Sequence, residues 1–259
     1  MTTGHAWRWP VIAATLAFML CVAPRLLVFD LDGTLIDSSI DLCDSVNAAL
    51  RHVHKPLLPS ALIASYIGDG AAMLIRRALG DPGDLDALHP SDGNPIFRKA
   101  FEFFLDYYRD HKLDNTRCYD GVLDALTQIR SGHPALPMAI LTNKPVGPSR
   151  DICHALGLAP FFFQNYGGNS FDTKKPDPEG LLTLMAEAAN LPGGTPSASP
   201  IVPGEVVMIG DSDIDILTAQ RCGARSLGCT FGLSPSSLLA AGPDATVDHP
   251  SEWPAALGL

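Results

Sequence analysis

Short apolar runs separated by stretches of helical periodicity constrain this chain more than any other feature. The runs are Leu26–Phe29, Met138–Leu141, 161–163, 206–209, 226–229 and Ala245–Val247. A strand with one wet face alternates polar and apolar residues, whereas a strand covered on both faces is apolar throughout. The runs therefore predict buried parallel strands, flanked by helices, in an α/β fold. One helix is predicted over 37–53, where Leu42, Val46, Ala49 and Leu50 recur at helical spacing. Another is predicted over 122–129, with Asp120 as its candidate N-cap.

Between residues 41 and 118 the strand signal stops. Helical candidates lie over 61–66, 71–79 and 96–111, and the last puts Ile96, Ala100, Phe101, Phe104, Leu105 and Tyr108 on one stripe. That aromatic stripe is expected to be core packing. The arrangement is an all-helical insert placed just after the first strand. Polar, Gly- and Pro-bearing loops are expected over 81–94 and 191–204.

A chain of 259 residues, 46% of them hydrophobic, can build one large domain or a domain with a smaller insert. The formal net charge is -10, and no Lys/Arg run stands out, so no nucleic-acid partner is expected. An anionic ligand would need local cations, a metal among them. The six cysteines form no C-x-x-C pair, which predicts reduced thiols and a cytoplasmic protein. Residues 11–23 are apolar but too short to span a bilayer. Pro24 follows the small-x-small sequence Cys21-Val22-Ala23, a poor place for cleavage, and a strand begins almost at once. Residues 1–23 are therefore expected to be an appended or mis-assigned leader rather than a membrane signal. The sequence carries no signal for oligomeric state.

Chemistry gathers where the apolar runs end. Asp30-Leu31-Asp32-Gly33-Thr34 follows the first run, Thr142-Asn143-Lys144 the second, Lys174-Lys175-Pro176 comes shortly after the third, and Gly210-Asp211-Ser212-Asp213-Ile214-Asp215 follows the fourth. Each alone has a plainer reading: a turn, a helix cap, a loop lysine, a strand-to-helix turn. Ligands in open α/β sheets bind beyond the carboxyl ends of the strands, so all four clusters in order point to one shared site. Acids, a hydroxyl and a lysine at one place suit metal-assisted phosphoryl transfer.

The stretch from Asp30 to Ser38, reading DLDGTLIDS, resembles the first motif of the haloacid dehalogenase superfamily. Thr142, Lys175 and Gly210-Asp211-x-x-x-Asp215 resemble its second, third and fourth motifs, and the likeness runs from about Pro24 to the C-terminus. It implies a Rossmann-like core over 24–40 and 119–259, with a small helical cap over 41–118. It also implies a magnesium-dependent phosphatase, because Asp32 is the second acid that the dehalogenase branch lacks. Asp30 is then the nucleophile, and the Asp30 and Asp211 carboxylates with the Asp32 carbonyl hold Mg2+. The Asp32 side chain is left free as general acid and base. Thr142 and Asn143 donate to phosphate, and Lys175 sets a fixed cation over the transferring group. Asp215 is expected to orient Lys175, and Asp213 to be a bystander.

Tyr66-Ile67-Gly68-Asp69-Gly70, Arg76-Arg77, Tyr119-Asp120-Gly121-Val122 and Asp248-His249-Pro250 further resemble the phosphoglycolate phosphatase branch. That likeness implies a small-molecule phosphate ester as the partner, 2-phosphoglycolate first. Another phosphate ester (a sugar phosphate, a nucleotide, pyridoxal phosphate), a phosphomutase and a non-catalytic module of the same fold are the alternatives. In the insert, Gly68, Asp69 and Gly70 precede a helix whose free N–H groups suit a small carboxylate, with Arg76 or Arg77 adding charge; the plainer reading is a tight turn with both arginines solvated. Gly33 lies in the first motif and is expected at the phosphate.

Overall fold

The computed structural model describes residues 22–80, 94–191 and 200–259. A six-stranded sheet runs in the order β5-β4-β1-β6-β7-β8, and every pair in it is parallel. The strands are β1 (Leu26–Phe29), β4 (Met138–Leu141), β5 (Gln164–Tyr166), β6 (Val206–Gly210), β7 (Arg225–Cys229) and β8 (Ala245–Val247). The central strand β1 pairs Leu27 with Met138 on one side and with Val207 on the other. Side chains alternate between faces. Leu27 and Phe29 join Val122, Leu126 and Trp253 in one core cluster, while Leu26 and Val28 join Leu181, Leu184 and Met208 in another. Both faces are covered, which is why β1, β4 and β6 read as unbroken apolar runs.

Helices α5 (Val122–Gly132), α6 (Val146–Ala155), α7 (Glu179–Ala188), α8 (Asp213–Cys222), α9 (Pro235–Ala240) and α10 (Trp253–Leu257) accompany the sheet. The expected α/β architecture with a parallel sheet is present. The expected cap of α5 is not: its N-cap is Gly121 at φ +84°, not Asp120. The run at 161–163 is also displaced. Phe161 ends a 3-10 turn, and the strand begins at Gln164. Phe161 and Phe162 pack onto the core, and Phe162 meets the Phe29 ring edge-on at 5.7 Å. The strand itself lies at the sheet edge, where polar residues are tolerated: Tyr166 donates to Glu187 at 2.5 Å.

Between β1 and β4 the chain builds a separate helical unit. It contains α1 (Ser39–His52), α2 (Ser60–Ala64), α3 (Ala71–Ala78) and α4 (Pro95–His111), around a cluster that includes Val46, Leu50, Leu74, Phe97 and Phe104. Two-residue strands bracket it. Strand β2 (Ile36–Asp37) pairs antiparallel with β3 (Arg117–Cys118), and both are too short to show in a periodicity. Asn94 caps α4, accepting from the N–H groups of Ile96 and Phe97 at 3.0 and 3.2 Å. The buried stripe of α4 is Phe97, Ala100, Phe104 and Tyr108, whereas Ile96 is 44% exposed. The expected stripe was thus out of phase at its start, because the cap sets where the first helical turn faces.

Residues 1–21, and most of the loops expected at 81–94 and 191–204, lie outside the described residues. Among the described residues no helix is long and apolar enough to cross a membrane.

Candidate active site

Parallel strands end at one edge of the sheet, so the residues following neighbouring strands become neighbours. Asp30 extends the ladder past β1, its N–H donating to Ile209 of β6 at 2.8 Å. Thr142 does the same past β4, donating to Tyr166 of β5 at 3.0 Å. Asp211 follows β6 directly. Lys175, in the loop between β5 and α7, reaches in from the side. Its ammonium stands 2.8 Å from Asp30 and 2.6 Å from Asp215, and all three side chains are buried.

Charge in this pocket is unbalanced. Asp30, Asp211 and Asp215 each present an oxygen within 4.8 Å of the others. Burial raises the Asp30 carboxyl from 3.8 to about 6; Lys175 opposes that rise and Asp215 adds to it. Burial would lower the Lys175 ammonium, but Asp215 and Asp30 outweigh it and hold the proton more tightly than usual. Asp211 is raised well above the ordinary value by burial, then by Asp215 and Asp30. It accepts hydrogen bonds from the Thr34 hydroxyl at 3.2 Å and the Leu233 N–H at 2.8 Å, and no ion pair is formed with it among the described residues. Three hard carboxylates against one lysine fit a divalent cation with oxygen ligands, of the magnesium kind. Asp215 has both oxygens engaged, one by Lys175 and the other by the Ser212 N–H at 3.1 Å and hydroxyl at 2.7 Å. That supports an orienting part for Asp215.

Gly33 serves by what it lacks. Its φ is +87°, and a Cβ there would lie 2.2 Å from the Asp211 carboxylate. Its N–H donates to Ile36 at 2.9 Å, so it is a close-approach residue in this structure rather than a donor aimed at a ligand.

One expectation about the first cluster and one about the second need correction. The Asp32 side chain is not free. Lys144 Nζ lies 2.9 and 3.1 Å from its two oxygens, and the Ser38 hydroxyl donates to it at 2.5 Å. Asn143 does not offer its amide to a ligand, because Nδ2 donates to the Lys175 carbonyl at 3.0 Å and the Gly68 carbonyl at 3.1 Å. Nor do Thr142 and Asn143 cap the next helix, which starts at Val146 with Pro145 before it. The Thr142 hydroxyl lines the cavity and accepts from the Lys144 N–H at 3.2 Å.

Lys144 and Tyr108 were missed. Lys144 stood in plain sight, third in a polar cluster after a buried strand. Tyr108 packs in the core cluster as its stripe implies, and it also lines the cavity, its ring under Lys144, 4.8 Å from the ammonium. Burial would lower the Lys144 ammonium, but Asp32 and Tyr108 outweigh it and keep it charged.

The helical unit forms the far wall. Gly68, Gly70 and Leu74 line the cavity with Phe104 and Leu105. Gly70, at φ +87°, is the N-cap of α3, and a Cβ there would lie 2.9 Å from the Asn143 carbonyl. The neighbouring carbonyl of Asp69 accepts from Lys174 Nζ at 2.6 Å. The Asp69 carboxylate instead pairs with Arg77. Arg76 is not brought to the cavity. It is buried in the helical unit, its guanidinium over the Phe97 ring at 4.9 Å.

A family model described as haloacid dehalogenase-like hydrolase matches residues 27–229. A phosphoglycolate phosphatase of Chromobacterium violaceum is 34% identical over 228 residues, 88% of this chain and 94% of its own length. One from Neisseria meningitidis is 36% identical over 213 residues, 82% of this chain and 83% of its own. Among solved structures, a predicted phosphoglycolate phosphatase from Haemophilus somnus superimposes with a TM-score of 0.76 at 27% identity. It covers 89% of this chain and 96% of that one.

Proposed function

The chain belongs to the haloacid dehalogenase-like hydrolase family and is a phosphatase, and we propose that it hydrolyses 2-phosphoglycolate through a phospho-aspartate on Asp30, with Mg2+ as cofactor. The observation that carries this reading is the convergence of Asp30, Asp211 and Asp215 around Lys175. A phosphate monoester repels an anionic nucleophile, so positive charge must be in place before Asp30 can approach. The Asp30 and Asp211 carboxylates and the Asp32 carbonyl would hold Mg2+, which would supply that charge together with Lys175.

The Asp30 carboxylate attacks phosphorus, the bond to the leaving oxygen breaks, and the phosphoryl group remains on Asp30 as an acyl phosphate. Asp32 acts as general acid once the Lys144 ammonium leaves it on substrate binding and the carboxyl takes up a proton, which it then gives to the leaving oxygen. It then takes one from the water that attacks phosphorus and regenerates Asp30. Thr142 donates its hydroxyl to a phosphate oxygen. Asp215 orients Lys175, and Asp213 takes no part.

The names of the relatives above support the substrate. The reading also divides the chain into a catalytic core over 24–40 and 119–259 and a cap over 41–118, which the separate hydrophobic cluster of the helical unit supports. It places the protein in the cytoplasm, and the free thiols of all five described cysteines agree with that.

The test is phosphate release by purified protein across a panel of phosphate esters, with and without Mg2+, and with Asp30→Asn as control. The expected result is fastest release from 2-phosphoglycolate, dependent on metal and lost in the variant. Preference for a sugar phosphate or a nucleotide would overturn the substrate and leave the chemistry standing. Transfer of phosphate within a sugar, without release, would make the protein a mutase.

A further inference from the structure

Asp30 and Thr142 line a cavity closed over by the helical unit. Phosphate would occupy the end at Asp30 and Thr142, so the rest must receive the leaving group. That part is mostly apolar: Leu42, Ile67, Leu74, Phe104, Leu105 and Pro148. Apart from the residues already given a chemical part, the polar side chains lining it are Lys144 and Tyr108. An anion placed against such walls is costly unless a cation and a donor meet it.

Both groups are available. An ammonium carries three N–H donors, and Lys144 Nζ directs two well-formed bonds to the Asp32 oxygens. The Tyr108 hydroxyl is buried and makes no well-formed hydrogen bond, although the Lys144 ammonium is its near neighbour. A buried hydroxyl on a cavity wall without a well-formed hydrogen bond has room for a ligand atom. It comes from the helical unit, whereas Lys144 comes from the loop after β4, and the two stand side by side on the wall of one cavity.

We infer that Lys144 and Tyr108 form a subsite for a negatively charged group on the leaving group, and that this pair makes the enzyme selective for small phosphate esters carrying a carboxylate. The inference rests on the proposed phosphatase reading and names the residues that set its substrate class. It moves selectivity away from Arg76, which lies outside the cavity, and gives Lys144 a second partner besides Asp32.

The measurement is kcat/KM for 2-phosphoglycolate divided by that for ethyl phosphate, which has the same two-carbon skeleton with a methyl in place of the carboxylate. The ratio cancels any general damage from disturbing Asp32. It should fall roughly 10-fold in Tyr108→Phe, which keeps the ring and loses one charge-assisted hydrogen bond, mainly through a higher KM. In Lys144→Met it should fall about 100-fold or more. Lys144→Arg should recover part of the loss. A ratio unchanged in Tyr108→Phe and Lys144→Met would overturn the subsite and leave Lys144 a support for Asp32 alone. If Lys144→Met does not fold, Tyr108→Phe decides. If wild type prefers another anionic ester, 2-phosphoglycolate fails as the substrate, and the same ratio for that ester against its neutral isostere decides the subsite. Wild-type preference for neutral esters over their anionic isosteres would overturn it.

Discussion

Thr116 donates twice to the carboxylate of Asp41, from its N–H at 2.8 Å and its hydroxyl at 2.7 Å, and so ties the two chain segments that join the helical unit to the sheet. Asn115 adds its own N–H and its side-chain amide, both at 2.9 Å. Burial would raise the Asp41 carboxyl, but these donors outweigh it and hold it below 3.8. A depressed carboxyl stabilises the fold above its ordinary value, and that contribution is lost as pH falls through the folded value. Asp41→Asn should therefore cost about 1–3 kcal/mol at pH 6 or above. The gap to wild type should narrow near pH 3. Denaturant unfolding at both pH values checks it, and an equal gap at both would remove the charge from the argument.

Asp30→Asn should abolish phosphate release and keep the fold. An amide cannot form the acyl phosphate, while Lys175 retains Asp215 as its partner at 2.6 Å. Steady-state turnover and circular dichroism read the two halves of the statement. Substantial turnover by a well-folded variant would remove Asp30 as nucleophile.

Asp32→Asn should slow both halves of the reaction and the second more, because an amide cannot accept the proton of the attacking water. Intact-protein mass spectrometry after mixing with substrate should find enzyme heavier by one phosphoryl group. Normal turnover would give the proton transfers to another group.

Chelation should inactivate the enzyme and Mg2+ should restore it. Asp211→Asn should raise the Mg2+ needed for half-activation by more than the roughly 10–100-fold that loss of an outer-shell partner costs. A metal titration of activity reads this. Full activity in metal-free buffer would exclude the proposed chemistry.

Gly70→Pro should lower kcat/KM for 2-phosphoglycolate more than for p-nitrophenyl phosphate. Proline cannot adopt φ +87°, and any Cβ at this position crowds the Asn143 carbonyl at 2.9 Å. The loop carrying Gly68 would lift from the cavity wall. Equal losses on both esters would separate this loop from selectivity.

Much of the site was legible because its signal is local. A buried parallel strand must be apolar, so β1, β4 and β6 announced themselves, and the residues just past their ends had to share an edge. Asp30, Thr142 and Asp211 follow from that alone. Lys175 was also legible, as a lysine in a polar cluster, although no pattern tells which carboxylates it meets. Strands β2 and β3 were not legible, because two residues carry no period. Nor was the start of the α4 stripe, since Asn94 sets the phase through hydrogen bonds that a hydrophobic pattern does not register.

The sequence by itself determined the sheet, the helical insert and the edge where the chemistry gathers, because each depends on hydrophobic period and on position along a strand. Only the tertiary structure decided what the polar side chains do there. Lys144 neutralises Asp32 across 112 residues of chain, Asn143 spends its amide on the Gly68 and Lys175 carbonyls, Arg76 turns into the helical unit, and Tyr108 brings an unpaired hydroxyl to the cavity. Buried charges and hydrogen-bond donors must find partners wherever the packed backbone leaves them. Those partners are set by distances of about 3 Å between remote segments, which no local spacing encodes.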